Sequence, residues 1–142
     1  MAPGELPLGL LVARTAKALD RAFDDHLSAV GGSGATWLVL SSLKDGGHRT
    51  QGELAAAVGV RSPTLTHHLD GLERAGLVTR ERDPANRRVQ QVALTEAGEA
   101  LFVRLRRSAA AFDGRLRAGL DDDEVALLRR LLAHLVENSQ PD

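Results

Sequence analysis

The first apolar positions of the chain recur every three or four residues. Leu8, Leu11, Val12, Thr15, Leu19, Phe23 and Leu27 share one side of a helix, with Arg14, Lys17, Asp20 and Arg21 among the polar positions. Gly31-Gly32-Ser33-Gly34 ends that pattern. Residues 35–43 predict a second helix, short and unusually apolar, which carries the only tryptophan, Trp37, before Lys44-Asp45-Gly46-Gly47 breaks it. Thr50-Gln51-Gly52-Glu53 has the form of a capping box, so a short helix is expected through Leu54 and Ala57, with Gly59 at its exit. Ser62-Pro63 marks a further start: Ser offers an oxygen to orphan amides, and Pro is tolerated in the first turn. That helix places Leu65, Leu69 and Leu72 on one face and runs to about Arg74, with Gly76 as its stop.

Two short β-capable runs follow, 77–82 and 89–94, joined by Asp83-Pro84-Ala85-Asn86-Arg87-Arg88. They read as a hairpin. Thr95 is expected to cap a long helix buried along Leu101, Leu105, Phe112 and Leu116. Asp121 with Glu124 opens a last helix, whose stripe is Val125, Leu128, Leu131, Leu132 and Leu135. The order predicts a mainly α fold with a small β-wing, in which a helix-turn-helix is followed directly by the wing.

Composition narrows the partners. With 142 residues and 43% hydrophobic content, the chain suits one packed domain. A net charge of -1 means that any nucleic-acid binding must come from a local arrangement of arginines. The absence of cysteine excludes disulfides, thiolate nucleophiles, Cys-ligated zinc and thiol-based sensing. Residues 1–13 hold no Lys or Arg and include Glu5, unlike a signal peptide, and no apolar run approaches the ~18 residues of a membrane span. A cytoplasmic protein with no membrane partner is the expectation.

The helix from Pro63 to Arg74 carries the candidate chemistry. With its leucines turned inward, Pro63, Thr64, Thr66, His67, Asp70, Gly71 and Arg74 lie on or beside the outward face. Short polar residues at a helix start suit a major groove: Thr hydroxyls can bond base edges or phosphates, and a Thr methyl can pack on thymine. The first amides favour a phosphate. Taken alone, this is equally an ordinary amphipathic surface helix. The hairpin shifts the balance, because Arg80 to Arg88 contains Arg80, Arg82, Arg87 and Arg88 against Glu81 and Asp83, a net +2 in nine residues. Two adjacent arginines at a hairpin tip can enter a narrow minor groove, with Asp83 pairing one of them. A solvated charge run is the alternative.

The segment 54–98 closely resembles the MarR family. The residues that carry the likeness are Leu54-Ala55-Ala56-Ala57-Val58-Gly59-Val60, Ser62-Pro63-Thr64-Leu65-Thr66 and Leu69-Asp70-Gly71-Leu72-Glu73. They continue through Gly76-Leu77-Val78-Thr79-Arg80, the wing Asp83-Pro84-Ala85-Asn86-Arg87-Arg88, and Val92-Ala93-Leu94-Thr95-Glu96-Ala97-Gly98. The resemblance implies a single domain with a winged helix-turn-helix at about 36–97 and N- and C-terminal dimerisation helices at about 6–30 and 96–138. It implies a homodimer on double-stranded DNA, with Arg61, Ser62, Pro63, Thr64, Thr66 and His67 at the major groove and Arg82, Asp83, Arg87 and Arg88 on the wing. Arg87 would reach the minor groove, and Arg88 would bind phosphate or pair with Asp83. The family usually has an acidic residue where this chain has Asn86, which leaves the Asp83 pairing more important or the tip looser.

The regulatory side is thinner. By the same resemblance a small aromatic or phenolic effector is expected between the dimer helices and the winged domain, with Arg14, His26 and Trp37 as candidate contacts. Trp37 as simple core is the competing reading. The histidines His26, His48, His67, His68 and His134 form no i, i+4 pair with another ligand, so no metal and no cofactor are expected. Neither a nucleophile motif nor a phosphate-binding glycine loop suggests an enzyme. The alternatives are a winged-helix module for protein contacts alone and, behind it, a metal-responsive regulator.

Overall fold

Most helices begin where the sequence offers an oxygen to an unpaired amide. The computed structural model describes residues 2–47 and 49–141. Its elements are α1 (Leu8–Ser28), α2 (Gly34–Gly46), β1 (Arg49–Thr50), α3 (Gln51–Val58), α4 (Ser62–Arg74), β2 (Val78–Arg82), β3 (Gln90–Leu94), α5 (Glu96–Leu116) and α6 (Asp122–Ser139). Ser33 accepts from the Thr36 amide at 3.1 Å to start α2, and Thr50 accepts from Glu53 at 3.1 Å to start α3. The return bond of the capping box expected at Thr50 is not made. At α6 both halves form: Asp121 accepts from the Glu124 amide at 2.8 Å, and Glu124 accepts from the Asp121 amide at 2.9 Å.

Helix α4 departs from the expectation. Arg61, not Ser62, occupies the extended cap position, and no side chain caps the helix. Ser62 is already helical, so its hydroxyl is not placed over the first-turn amides. Those amides stay open to an outside acceptor.

The wing hairpin pairs β2 with β3 antiparallel, from Val78 opposite Leu94 to Arg82 opposite Gln90. Strand β1, which the sequence did not announce, adds to the far side of β3 and completes a sheet of order β1-β3-β2. Two residues are too few to show alternation. The core joins Leu27 of α1, Val39, Leu40 and Leu43 of α2, Leu54 and Ala55 of α3, and Leu65, Leu69 and Leu72 of α4. Val78 and Val92 of the wing and Leu101, Phe102 and Leu105 of α5 complete it. All of these belong to the first of two compact units, Met1–Ala109; Ala110–Asp142 forms the second.

The junction between wing and α5 explains the Leu-Thr-x-x-Gly run. Thr95 Oγ1 accepts from the Gly98 amide at 3.0 Å, capping α5, and donates to the Gly76 carbonyl at 2.6 Å. The Thr95 amide donates to the Leu77 carbonyl at 3.1 Å. Gly76 sits at φ +73, where side chains are strained, and a Cβ at Gly98 would overlap the Leu77 carbonyl oxygen. One threonine and two glycines thus fasten the end of α4, the start of β2 and the start of α5 together.

Two apolar faces remain uncovered. In α1, Leu8, Leu10, Leu11 and Leu19 are 40–56% exposed, so most of the apolar face that the spacing marked is not covered within the described residues. In α6, Leu127, Leu128, Leu131, Leu132 and Val136 are exposed, while Val125 and Leu135 are half-buried. Leu116, expected inside, is 43% exposed, whereas Leu101, Leu105 and Phe112 are buried.

Gly98→Ala is expected to destabilise the protein by about 1–3 kcal/mol, because the Leu77 backbone must move to admit the methyl. Gly71→Ala, in helical backbone with no atom near the new Cβ, should instead stabilise by about 0.5–1 kcal/mol. Urea midpoints at unchanged m-value measure both, and opposite signs are the check.

Candidate nucleic-acid interface

The interface is built on two strips of chain with different local logic. Leu65, Leu69 and Leu72 anchor α4 in the core, which leaves Ser62, Pro63, Thr64 and His67 exposed and Thr66 half-buried. Arg61, just outside the helix, is also exposed. His68 is half-buried beside His67, their ring centroids 6.2 Å apart. The Thr66 hydroxyl is engaged within the protein: it donates to the Ser62 carbonyl at 2.9 Å and accepts from Gln51 Nε2 at 2.7 Å.

At the wing tip, Asp83 does not pair with Arg87 or Arg88, contrary to expectation. Its carboxylate accepts from the Ala85 amide at 2.8 Å and from Gln91 Nε2 at 3.4 Å. A short turn between antiparallel strands needs a side-chain acceptor for its own amides, and Asp83 supplies it. Asn86 closes the same turn, its Oδ1 accepting from the Arg88 amide at 3.2 Å. The tip is therefore tied by side chain–backbone bonds, and among the described residues Arg82, Arg87 and Arg88 enter no ion pair. All three are exposed.

Arg80 behaves differently from its neighbours. Alternation along β2 puts it on the same face as Val78, opposite the fully buried Val92 in β3, so it points at α4. There its side chain, 14% exposed, donates to Asp70 Oδ1 at 2.5 Å and to both oxygens of Glu73 at 3.1 and 3.4 Å. The hydrogen bonds from Arg80 hold the Glu73 carboxyl below its ordinary range; burial and the Asp70 charge oppose this, and the guanidinium charge reinforces it. The same bonds to Glu73 raise Arg80. Arg80 was counted with the wing positives, but it serves as the tie between wing and helix. The period-2 pattern of β2 together with the Asp70/Glu73 spacing on α4 was the signal that could have found it.

Two open clefts flank α4. One, of about 480 Å³, lies between the start of α3 and the wing root, lined by Thr50, Gln51, Gly52, Ser62, Arg88, Val89 and Gln90. The other, of about 470 Å³, is lined by His67, Asp70, Glu73, Arg74 and Arg80. The candidate effector residues are less coherent. Trp37 is half-buried, packs on the core and stacks parallel on Phe102 at 5.6 Å. Arg14 is exposed and His26 half-buried, both on α1. Twelve residues of helix separate them, a rise of about 18 Å, too far for the two of one chain to grip a single-ring ligand. Among the described residues no three His, Asp or Glu gather as a metal site, and His48 lies outside those residues. Among them, too, no helix is long and apolar enough to cross a membrane.

Arg80→Gln is expected to return the Glu73 pKa upward to the ordinary carboxylate range, followed by carboxyl-detected NMR titration. Because the folded-state value is depressed, the pair's contribution is present above the ordinary Glu pKa and lost as pH falls through the folded one. The variant should therefore lose the share of the acid dependence of stability that this pair contributes in that window. An unchanged Glu73 titration would remove the tie.

Comparisons place this geometry among known proteins. A model of the MarR family matches residues 33–89. A cysteine-to-serine mutant of MarR from E. coli, complexed with operator DNA, is 30% identical with a TM-score of 0.84, over 92% of this chain and 94% of that one. The transcriptional repressor CouR, bound to a 23-mer DNA duplex, is 30% identical with a TM-score of 0.87, over 96% and 98%. A probable transcriptional regulator from Pseudomonas aeruginosa is 25% identical with a TM-score of 0.81, over 90% and 96%. With two such relatives at 30% identity over nearly the full length of both chains, and a winged helix-turn-helix built as theirs is, this chain belongs to the MarR family.

Proposed function

We propose that this protein is a transcription regulator, a repressor that binds a pseudo-palindromic operator in double-stranded DNA as a homodimer. The observation that carries the reading is the separation of roles among the wing arginines: Arg80 is neutralised against α4, while Arg82, Arg87 and Arg88 stand exposed and, among the described residues, without ion pairs beside an α4 start that no side chain caps. Helix amides and unpaired guanidinium groups are what a phosphate backbone and a narrow minor groove require. The two similar structures solved with DNA support the same reading.

Arg61, Ser62, Pro63, Thr64, Thr66 and His67 form the major-groove side of the proposed interface. Arg82, Arg87 and Arg88 form the wing side, and Asp83 shapes the turn that presents them. The uncovered leucines of α1 and α6 support the homodimer, since apolar faces of this extent call for a second surface. A two-fold dimer reads half-sites about one turn, ~10 bp, apart. Repression follows from a dimer that covers a promoter. Response to a small aromatic or phenolic effector is the finest part of the proposal, with His26 and Trp37 as its contacts and Arg14 further along α1.

A winged module for protein contacts alone would show little salt dependence, whereas several phosphate contacts give a steep slope. Fluorescence anisotropy against promoter-region and random duplexes, at two salt concentrations, is the test. Preference for the promoter with a steep slope supports the regulator; equal, weak and salt-insensitive binding rejects it. Arg87→Ala should weaken operator binding by about 1–3 kcal/mol at matched salt, and unchanged affinity would remove Arg87 from the interface.

A further inference from the structure

Thr66 was expected to offer DNA either its hydroxyl or its methyl, and the hydroxyl is already engaged within the protein. Its one hydrogen goes to the Ser62 carbonyl, and its oxygen accepts the amide of Gln51, a residue of the first turn of α3. A hydroxyl has a single hydrogen, so Thr66 can donate to neither a base nor a phosphate. What the half-buried side chain keeps for an outside partner is its methyl group and one acceptor lone pair, and of these the methyl is the apolar reader. A threonine methyl discriminates one feature of a major groove, the C5-methyl of thymine.

Gln51 does more than fill space here. The bond to the Ser62 carbonyl favours one of the two rotamers that threonine adopts in a helix, without excluding the other. The Gln51 amide, reaching across from α3, adds a second fixed point 15 residues away in sequence and holds the hydroxyl in place. We propose that Gln51 is a specificity-setting residue: by pinning the Thr66 hydroxyl against α4, it directs the Thr66 methyl to read a thymine. The proposal rests on the reading of α4 as the DNA-reading helix and adds to it which chemical group reads, and what orients it. Gln51 acts through Thr66 and is a positioning residue.

The test removes one methyl at a time from the DNA. The tightest-binding duplex recovered from a random-sequence pool is resynthesised with each thymine pair, symmetric between half-sites, replaced by deoxyuridine. Affinity of the full-length protein is then read by anisotropy. In the wild type one position should cost about fourfold per half-site, the value of one buried methyl. Thr66→Ser keeps both hydrogen bonds and loses the methyl, so its uracil penalty at that position should vanish. Gln51→Ala keeps the methyl and loses the clamp, so the penalty should shrink at least twofold while other thymines respond as in the wild type. A purely structural role for Gln51 would lower affinity equally for thymine and uracil duplexes.

Operator-selective binding with no uracil-sensitive position overturns the inference and leaves DNA reading by α4 intact. A penalty that persists in Thr66→Ser assigns it to another side chain and overturns the inference likewise. A penalty unchanged in Gln51→Ala removes the role of Gln51. Failure of the pool to yield any duplex bound better than random overturns the regulator reading, and this inference with it.

Discussion

A guanidinium held 14% exposed between two carboxylates has no freedom left to serve another partner, and Arg80 is in that position. Its strand comes from the wing and its acceptors from α4, so the contact joins the two elements that the proposed interface needs in fixed relation. Below it, Val78 and Val92 pack with Leu69 and Leu72 in the same core, which sets the distance between strand and helix. The ion pairs add orientation and charge balance. Without them two carboxylates would stand alone beside a surface proposed to meet phosphates. Asp70 and Glu73 are themselves 48% and 44% exposed, so water would solvate them, and the larger consequence is local charge rather than loss of the fold.

The same division between packed base and open rim runs through the winged part. The core lies beneath α4 and the wing, whereas every residue assigned to the major groove or the wing tip is exposed or half-buried. The wing tip keeps its shape through Asp83 and Asn86, which spend their acceptors on turn amides and leave the adjacent arginines without an ion pair among the described residues. At the other end of β3, Thr95 and Gly98 lock the hairpin to α5, so the wing is fastened at its root and presented at its tip. A rigid root with an unpaired charged tip is a construction suited to electrostatic docking.

The α1 and α6 faces carry a different message. Their leucine periodicity is as regular as that of α4, yet α4 buries its leucines fully and these two helices leave most of theirs in solvent. Periodicity reports that a face is apolar. It cannot report whether the same chain covers that face. The winged part closes its own core, and the proposed homodimer is what would cover the rest.

Element positions were legible because local chemistry sets them: the Thr50, Thr95 and Asp121 acceptors start their helices as expected, and α4 spans the residues its leucine spacing marked. The hairpin and the order of elements followed from turn residues and alternation. Ser62 as a cap did not survive, because the chain is already helical there and Arg61 takes the extended cap position. Strand β1 was invisible because its two residues gain strand character only from β3. Arg80 to Asp70 and Glu73, and Gln51 to Thr66, join positions 7 to 15 residues apart on different elements. The sequence by itself determined the helices, the wing and the set of polar residues available to an interface, since caps, turns and hydrophobic period are local. Only the tertiary structure decided which of those polar groups are already spent on one another, because a hydrogen bond across elements exists only once the core has brought them within 3 Å or so.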